Sequence, residues 1–176
     1  LRALLAEHMR ARGVQCGVRN VMVLSGSEQG IDLIVRAFIN PGDCVLVEQS
    51  TFFPALQTFR SADARIIGVP VDEHGMRTDL LDGYCARFRP KLIYTVPTFQ
   101  NPTGTTLPPE RRSELIDVAR RYQCLIVEDD AYGDLWYGGE SSDAHRPIPL
   151  KGMENAGYVM YLSTFSKTVT SGLRTG

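Results

Sequence analysis

Short apolar runs alternate along this chain with stretches of helical periodicity. Val21–Leu24 is an unbroken apolar run that ends at Ser25-Gly26. Directly after it, Ile31, Ile34, Val35 and Phe38 fall at i, i+3, i+4 and i+7, a spacing that places them on one face of a helix. Asn40-Pro41-Gly42-Asp43 stops that helix and turns the chain into the run Cys44–Val47. The alternation continues with a short helix around Pro54–Arg60, Leu56 and Phe59 inward, and a strand at Ala64–Val69. A helix near Leu80–Phe88 leads to a strand at Leu92–Val96. Pro108-Pro109 open the next helix, where a missing N–H costs nothing in the first turn, and Leu115, Val118, Ala119 and Tyr122 form its inward stripe. Leu125–Val127 and Tyr158–Leu162 complete the expected strands. Leu1, Leu4, Leu5 and Met9 predict an N-terminal helix with those residues inward, ending at Gly13. Strands separated by helices predict an α/β domain with a largely parallel sheet.

A length of 176 residues allows one domain with a proper core. Its 19 Lys and Arg against 20 Asp and Glu give a net charge of −1, which argues against a nucleic-acid or anionic-membrane surface through this region. No apolar run is longer than Tyr158–Leu162, too short to span a bilayer. No basic segment precedes an apolar stretch in the manner of a secretory leader. Cys16, Cys44, Cys85 and Cys124 lie far apart, and His8, His74 and His145 sit in unrelated polar contexts, so no metal site is expected and the histidines read as solvated. Cys44 and Cys124 open the runs CVLV and CLIV as small buried hydrophobes. Free thiols of that kind point to a reducing cytoplasm. The chain starts at Leu1 inside a helical pattern and stops at Gly176 after a Gly-Leu-Arg turn, so both ends are expected to be cut.

In open α/β sheets, ligands collect at the carboxyl ends of the strands. The segments that follow the expected strands are Ser25-Gly26-Ser27, Ser50-Thr51-Phe52, Pro97 to Gly104, Glu128 to Tyr132, and Ser163 to Lys167. Ser-Gly-Ser before a helix presents free N–H groups and the positive end of the helix dipole, an anion site, although an ordinary N-cap looks the same. Taken singly, Asn-Pro-Thr-Gly is a turn, Asp129 a cap or ion-pair partner, and Lys167 a solvated lysine. Their order and spacing together carry more.

Asn101-Pro102-Thr103-Gly104, Asp129-x-Ala131-Tyr132, and Thr164-Phe165-Ser166-Lys167 with Arg174 beyond resemble the class I/II, fold type I pyridoxal-phosphate aminotransferases. SGSEQGIDL, NPGDCVLVEQSTF, PTFQNPTGT, LIVEDDAYGDLWY and the stretch from Ser163 to Arg174 extend the resemblance over essentially the whole chain. They are similar both to 2-aminoadipate and kynurenine aminotransferases and to the aminotransferase-like domain of MocR-type transcriptional regulators. Gly-x-Gly-x-x-Gly, the phosphate-binding P-loop and the hydrolase Gly-x-Ser-x-Gly are absent from the sequence.

The resemblance implies pyridoxal 5'-phosphate as cofactor and amino-group transfer between an α-amino acid and a 2-oxo acid through a lysine Schiff base. By position, Lys167 carries that Schiff base, Asp129 keeps the pyridine nitrogen protonated, and Asn101 and Tyr132 bond the ring oxygen. Phe52 stacks on the ring, while Gly26, Ser27, Glu28, Thr164, Ser166 and Arg174 surround the phosphate. Catalysis would fall to Lys167, Asp129 and Tyr132. Phe99 and Gln100 are neighbouring candidates for the pocket wall.

Two positions depart from the pattern. Glu28 stands where relatives of this type often carry Gln, so its backbone N–H is the expected contact. The stretch after Lys167 also lacks the proline that often precedes the glycine.

The fold implied is the large domain of these proteins, a mostly parallel sheet with helices on both faces, here with six of seven strands. Residues 1–176 would then be a partial large domain without the N-terminal segment and the C-terminal small domain. The arginine that grips the substrate carboxylate belongs to that small domain. A homodimer is implied for the full-length protein, and the isolated chain is expected to be unstable, with a bare strand edge. A free-standing enzyme and the effector domain of a regulator, with its DNA-binding domain upstream, both remain open.

Overall fold

Five short runs rich in aliphatic and β-branched residues form the centre of the structure, the inner ones buried on both faces. The computed structural model describes residues 1–138 and 146–176. Strand β1 (Cys44–Glu48) is buried along its whole length, as is β5 (Leu92–Thr95). With β2 (Arg65–Val69), β6 (Leu125–Asp129) and β7 (Val159–Leu162) they make a five-stranded sheet in the order β2-β1-β5-β6-β7. Every neighbouring pair in it is parallel. A small antiparallel hairpin, β3 (Val71–Asp72) with β4 (Gly75–Met76), lies outside it.

Alternate residues of each strand feed two separate cores. Leu46, Ile93 and Ile126 pack with Leu81, Cys85, Leu115 and Ala119 from helices α4 (Leu81–Phe88) and α5 (Pro109–Tyr122). Val45, Val47, Tyr94 and Val127 point the other way, onto Ile31, Val35, Ala55 and Phe59 of α2 (Ser27–Phe38) and α3 (Phe53–Ser61). Helices therefore cover both faces, as a buried parallel sheet requires. Truncating a fully buried residue such as Leu115 would cost about 2–5 kcal/mol. A four-residue helix, α6 (Leu150–Met153), leads into β7.

Of the six expected strands, Val21–Leu24 alone stays out of the sheet. Residues Val18–Asn20 form a 3₁₀ turn, and Val21 N–H bonds back to Val18. Leu24 exchanges both backbone hydrogen bonds with Gly176, N–H to O at 2.8 Å and O to N–H at 3.0 Å. A single residue pair is too little to build a ladder.

The first helix, α1 (Arg2–Ala11), also departs from the pattern. Ala6 is its buried residue, whereas Leu1 and Leu4, expected inward, are 64% and 66% exposed. Arg12, at its C-terminus, is what anchors it, through the ion pair described below. On α2 the inward stripe holds at Ile31 and Val35, but Phe38 is exposed and Ile39 is buried in its place.

Cys44, Cys85 and Cys124 are buried free thiols, and Cys16 is free and half-buried. His74 is exposed, and His8 is exposed with Nε2 3.3 Å from Asp134. His145 lies outside the described residues. No helix among the described residues is long and apolar enough to cross a membrane.

Candidate functional site

A cleft of about 720 Å3, counting the solvent at its mouth, opens at the carboxyl ends of the sheet strands. The eleven residues that the resemblance assigned to cofactor binding or catalysis all line it: Gly26, Ser27, Glu28, Phe52, Asn101, Asp129, Tyr132, Thr164, Ser166, Lys167 and Arg174. Val96, Ala131 and Ser171 complete the wall. Phe99 and Gln100 do not belong to it. Phe99 instead stacks on Trp136, ring centroids 6.0 Å apart, and Gln100 is buried beneath the loop. Gln100 turns inward, where its amide makes four hydrogen bonds.

Parallel register brings the polar residues to one edge. Asp129, the last residue of β6, is level with Leu162 of β7, so the loops after both strands leave side by side. The loop after β7 carries Thr164, whose hydroxyl donates to Ser166 Oγ at 3.0 Å and accepts Ser166 N–H at 3.2 Å. Ser166–Thr170 is one π-helical turn, a geometry found often at functional positions. It leaves Lys167 exposed, with Nζ 5.7 Å from the centre of the Tyr132 ring. Tyr132 in turn accepts from Asn101 Nδ2 at 3.2 Å.

The turn before α2 makes the other wall. Gly26 is its N-cap at φ +90° and ψ 165°, a conformation open essentially only to glycine. The first N–H groups of α2 have no partner within the helix and face an end of positive potential. Arg174 reaches across, its guanidinium donating to Ser25 O at 3.0 Å and packing where a Cβ at position 26 would stand. Backbone N–H groups, hydroxyls and one guanidinium are a donor set suited to a phosphate-sized anion. Glu28 sits in the first turn of α2 with its side chain exposed.

Asp129 holds the floor. It is 3% exposed, and its Oδ2 accepts the Tyr94 hydroxyl at 2.7 Å. Its Oδ1 is buried with no hydrogen-bond partner among the described residues. Burial pushes its pKa up to about 6, with the charge of Asp130 adding and the Tyr94 hydroxyl opposing. A buried acceptor left open at the base of a cleft is a costly feature unless a ligand donor completes it.

Three further groups support the site and were not singled out from the sequence. Tyr94 is one; a tyrosine inside a fully buried strand must place its hydroxyl somewhere, and its setting after Leu92 and Ile93 was the available signal. Glu48, at the end of β1, accepts bonds from four residues. Asp130 lies 2.8 Å from Arg12 and accepts the Tyr161 hydroxyl at 2.9 Å. Arg12 also donates to Tyr161 at 2.6 Å, tying α1 to β7 beneath the floor.

The chain matches the family model "Aminotransferase class I and II" over residues 1–176. It is 42% identical to aromatic-amino-acid aminotransferase 1 of Thermococcus litoralis, across 100% of this chain and 42% of that protein. It is also 36% identical to an uncharacterised HTH-type transcriptional regulator of Bacillus subtilis, across 100% of this chain and 35% of that one. Among solved structures, Pyrococcus horikoshii kynurenine aminotransferase in complex with PMP superposes with a TM-score of 0.83 at 42% identity. That match covers 88% of this chain and 38% of the structure. The chain thus spans less than half the length of each of these relatives.

Proposed function

This chain belongs to the class I and II aminotransferases, and on that premise we propose that its cleft holds pyridoxal 5'-phosphate for amino-group transfer between an α-amino acid and a 2-oxo acid. The observation that carries the proposal is Asp129 Oδ1, a buried acceptor at the cleft floor without a partner among the described residues. A protonated ring nitrogen is the donor that would complete it. Bound there, the cofactor supplies an electron-withdrawing ring that stabilises negative charge at the substrate Cα.

The residues of the chain then have separate tasks. Asp129, steadied by Tyr94, holds the proton on the ring nitrogen. Gly26, Ser27 and Glu28 offer backbone N–H groups to the phosphate, Thr164 and Ser166 their hydroxyls, and Arg174 its guanidinium. Phe52 packs on the ring face, and the bonded pair Asn101 and Tyr132 meets the ring oxygen. Lys167 supplies the amine that takes the cofactor aldehyde and, once free, moves the proton at the substrate Cα.

The reading includes a longer polypeptide, of which this segment is the cofactor-binding part; the coverage of the relatives supports that. It also includes a homodimer, and a cytoplasmic setting supported by four free cysteines. Titrating pyridoxal phosphate into the full-length protein and its Asp129→Ala variant tests the assignment. The wild type should bind with a visible absorbance change and the variant should lose most of it. Equal binding by both would contradict the reading.

A second reading is favoured by the likeness to the transcriptional regulator. There the same cleft would hold the cofactor and sense an effector without turnover. Steady-state transfer of amino groups by the full-length protein decides for the enzyme. A helix-turn-helix domain upstream of Leu1, with no turnover, decides for the regulator.

A further inference from the structure

We propose that Glu48 and Gln100 form a positioning pair that fixes the two loops from which Phe52 and Asn101 enter the cleft. The proposal deepens the cofactor-site reading and rests on it. Neither residue lines the cleft, and both are buried, at 2% and 3% exposure. One carboxylate gathers both loops. Glu48 Oε1 accepts the Thr95 hydroxyl at 2.6 Å, and Val96 N–H is shared between its two oxygens at 3.3 Å. Oε2 accepts the Thr51 hydroxyl at 3.2 Å and Gln100 Nε2 at 3.0 Å.

The Gln100 amide is itself fully used. Its Nε2 also donates to Ser50 O at 2.6 Å, and its Oε1 accepts both Thr103 N–H at 2.9 Å and the Thr103 hydroxyl at 2.7 Å. Ser50 and Thr51 directly precede Phe52, and Gln100 directly precedes Asn101. Any shift of this pair therefore moves both cleft residues together. The chemistry is one-directional: the Gln100 and Val96 nitrogens can only donate, so an acceptor-only carboxylate is the matching group. Glu48→Gln keeps the shape but replaces one of the two acceptor oxygens that share Val96 N–H by an NH2 group.

The test uses full-length Glu48→Gln, Gln100→Ala and the double variant beside the wild type. Three quantities are read: the Kd for pyridoxal phosphate, the visible circular dichroism of the bound form, and hydrogen exchange over residues 96–106 without cofactor. Each single variant should raise Kd about tenfold, the worth of one hydrogen bond to a charged group, and should shift the dichroic band. Exchange over 96–106 should quicken in each. The double variant should be no worse than the worse single one, since the two residues act as a unit.

A lower melting temperature with unchanged Kd and dichroism would overturn the proposal, leaving Glu48 a merely structural residue. Additive losses would overturn it too. Gln100→Ala gives the same three readouts should Glu48→Gln not fold. No binding by the wild type would remove the cofactor reading, and the positioning claim with it where exchange is also unchanged. Exchange that quickens in both variants would keep the coupling of the two loops even then.

Discussion

The Tyr94 hydroxyl donates to Asp129 Oδ2 at 2.7 Å across the pair formed by β5 and β6. The bond fixes one oxygen of the carboxylate, and Oδ1 is left buried without a hydrogen-bond partner among the described residues. Burial and the neighbouring carboxylate also push the Tyr94 pKa well above its usual value, so the hydroxyl stays a donor. Tyr94→Phe should therefore weaken cofactor binding three- to tenfold and lower stability by about 1–3 kcal/mol, the cost of a buried acceptor left unmet. Chemical denaturation and cofactor titration of the same variant check both halves. Unaltered binding would mean that Asp129 needs no steadying.

Cofactor affinity should depend on pH through Asp129. Its pKa is raised from the usual carboxylate value to about 6, so the fold favours the protonated acid, and the stability this group contributes is lost as pH rises through 6. Ring-nitrogen binding requires the charged form. Affinity should consequently rise up to pH 6 and level off above it, by at most about tenfold per pH unit for one proton. The phosphate of the cofactor titrates nearby, so Asp129→Asn is the control. The part of the slope that the variant removes belongs to Asp129, and an identical slope in both proteins would contradict the assignment.

Gly26→Ala should damage the anion wall. At φ +90° the new methyl group is strained, and it would stand 3.1 Å from Arg174 Nη2. A loss of about 1–3 kcal/mol in stability follows from the backbone alone. Displacement of Arg174 should add a loss of affinity for inorganic phosphate, measured by calorimetry. An alanine variant with wild-type melting and phosphate binding would refute this account of the turn.

Arg12→Met should be among the most destabilising single changes in the structure. The Arg12 side chain is 5% exposed and pairs with Asp130, which is buried beside Asp129. Removing one partner leaves a buried charge uncompensated, at a cost of about 3–5 kcal/mol. Asp130→Asn combined with Arg12→Met should recover part of that loss. A single variant within about 0.5 kcal/mol of wild type would show that the pair carries no stability.

The sheet and the cleft were legible in the sequence for different reasons. Runs such as CVLV and CLIV read as strands because both faces are buried, and the residues at their carboxyl ends had to meet at one edge. Periodicity misled where a face lacks a partner. Leu1 and Leu4 fit a helical stripe, yet α1 is anchored by Arg12 and they remain exposed. Val21–Leu24 reads as a strand, but strand formation needs a ladder, and Leu24 alone is paired.

Buried polar groups were the least visible. Arg112 lies on an otherwise charged stretch of α5 but is 1% exposed, donating to the carbonyls of Pro97, Leu107 and Ile148. Glu128 reads as part of the acidic run after the expected strand Leu125–Val127, yet it lies within β6 and receives Leu150 and Lys151 N–H at the start of α6, and burial pushes its pKa up to about 7. Tyr94 and Glu48 belong to the same class. Their partners are far away in sequence, and no local pattern encodes such pairs.

Lys167 is the residue on which the cofactor reading turns. Full-length protein mixed with pyridoxal phosphate, reduced with borohydride and digested, should carry the label on the peptide containing Lys167. Label on a different lysine, or no label at all, would contradict the account.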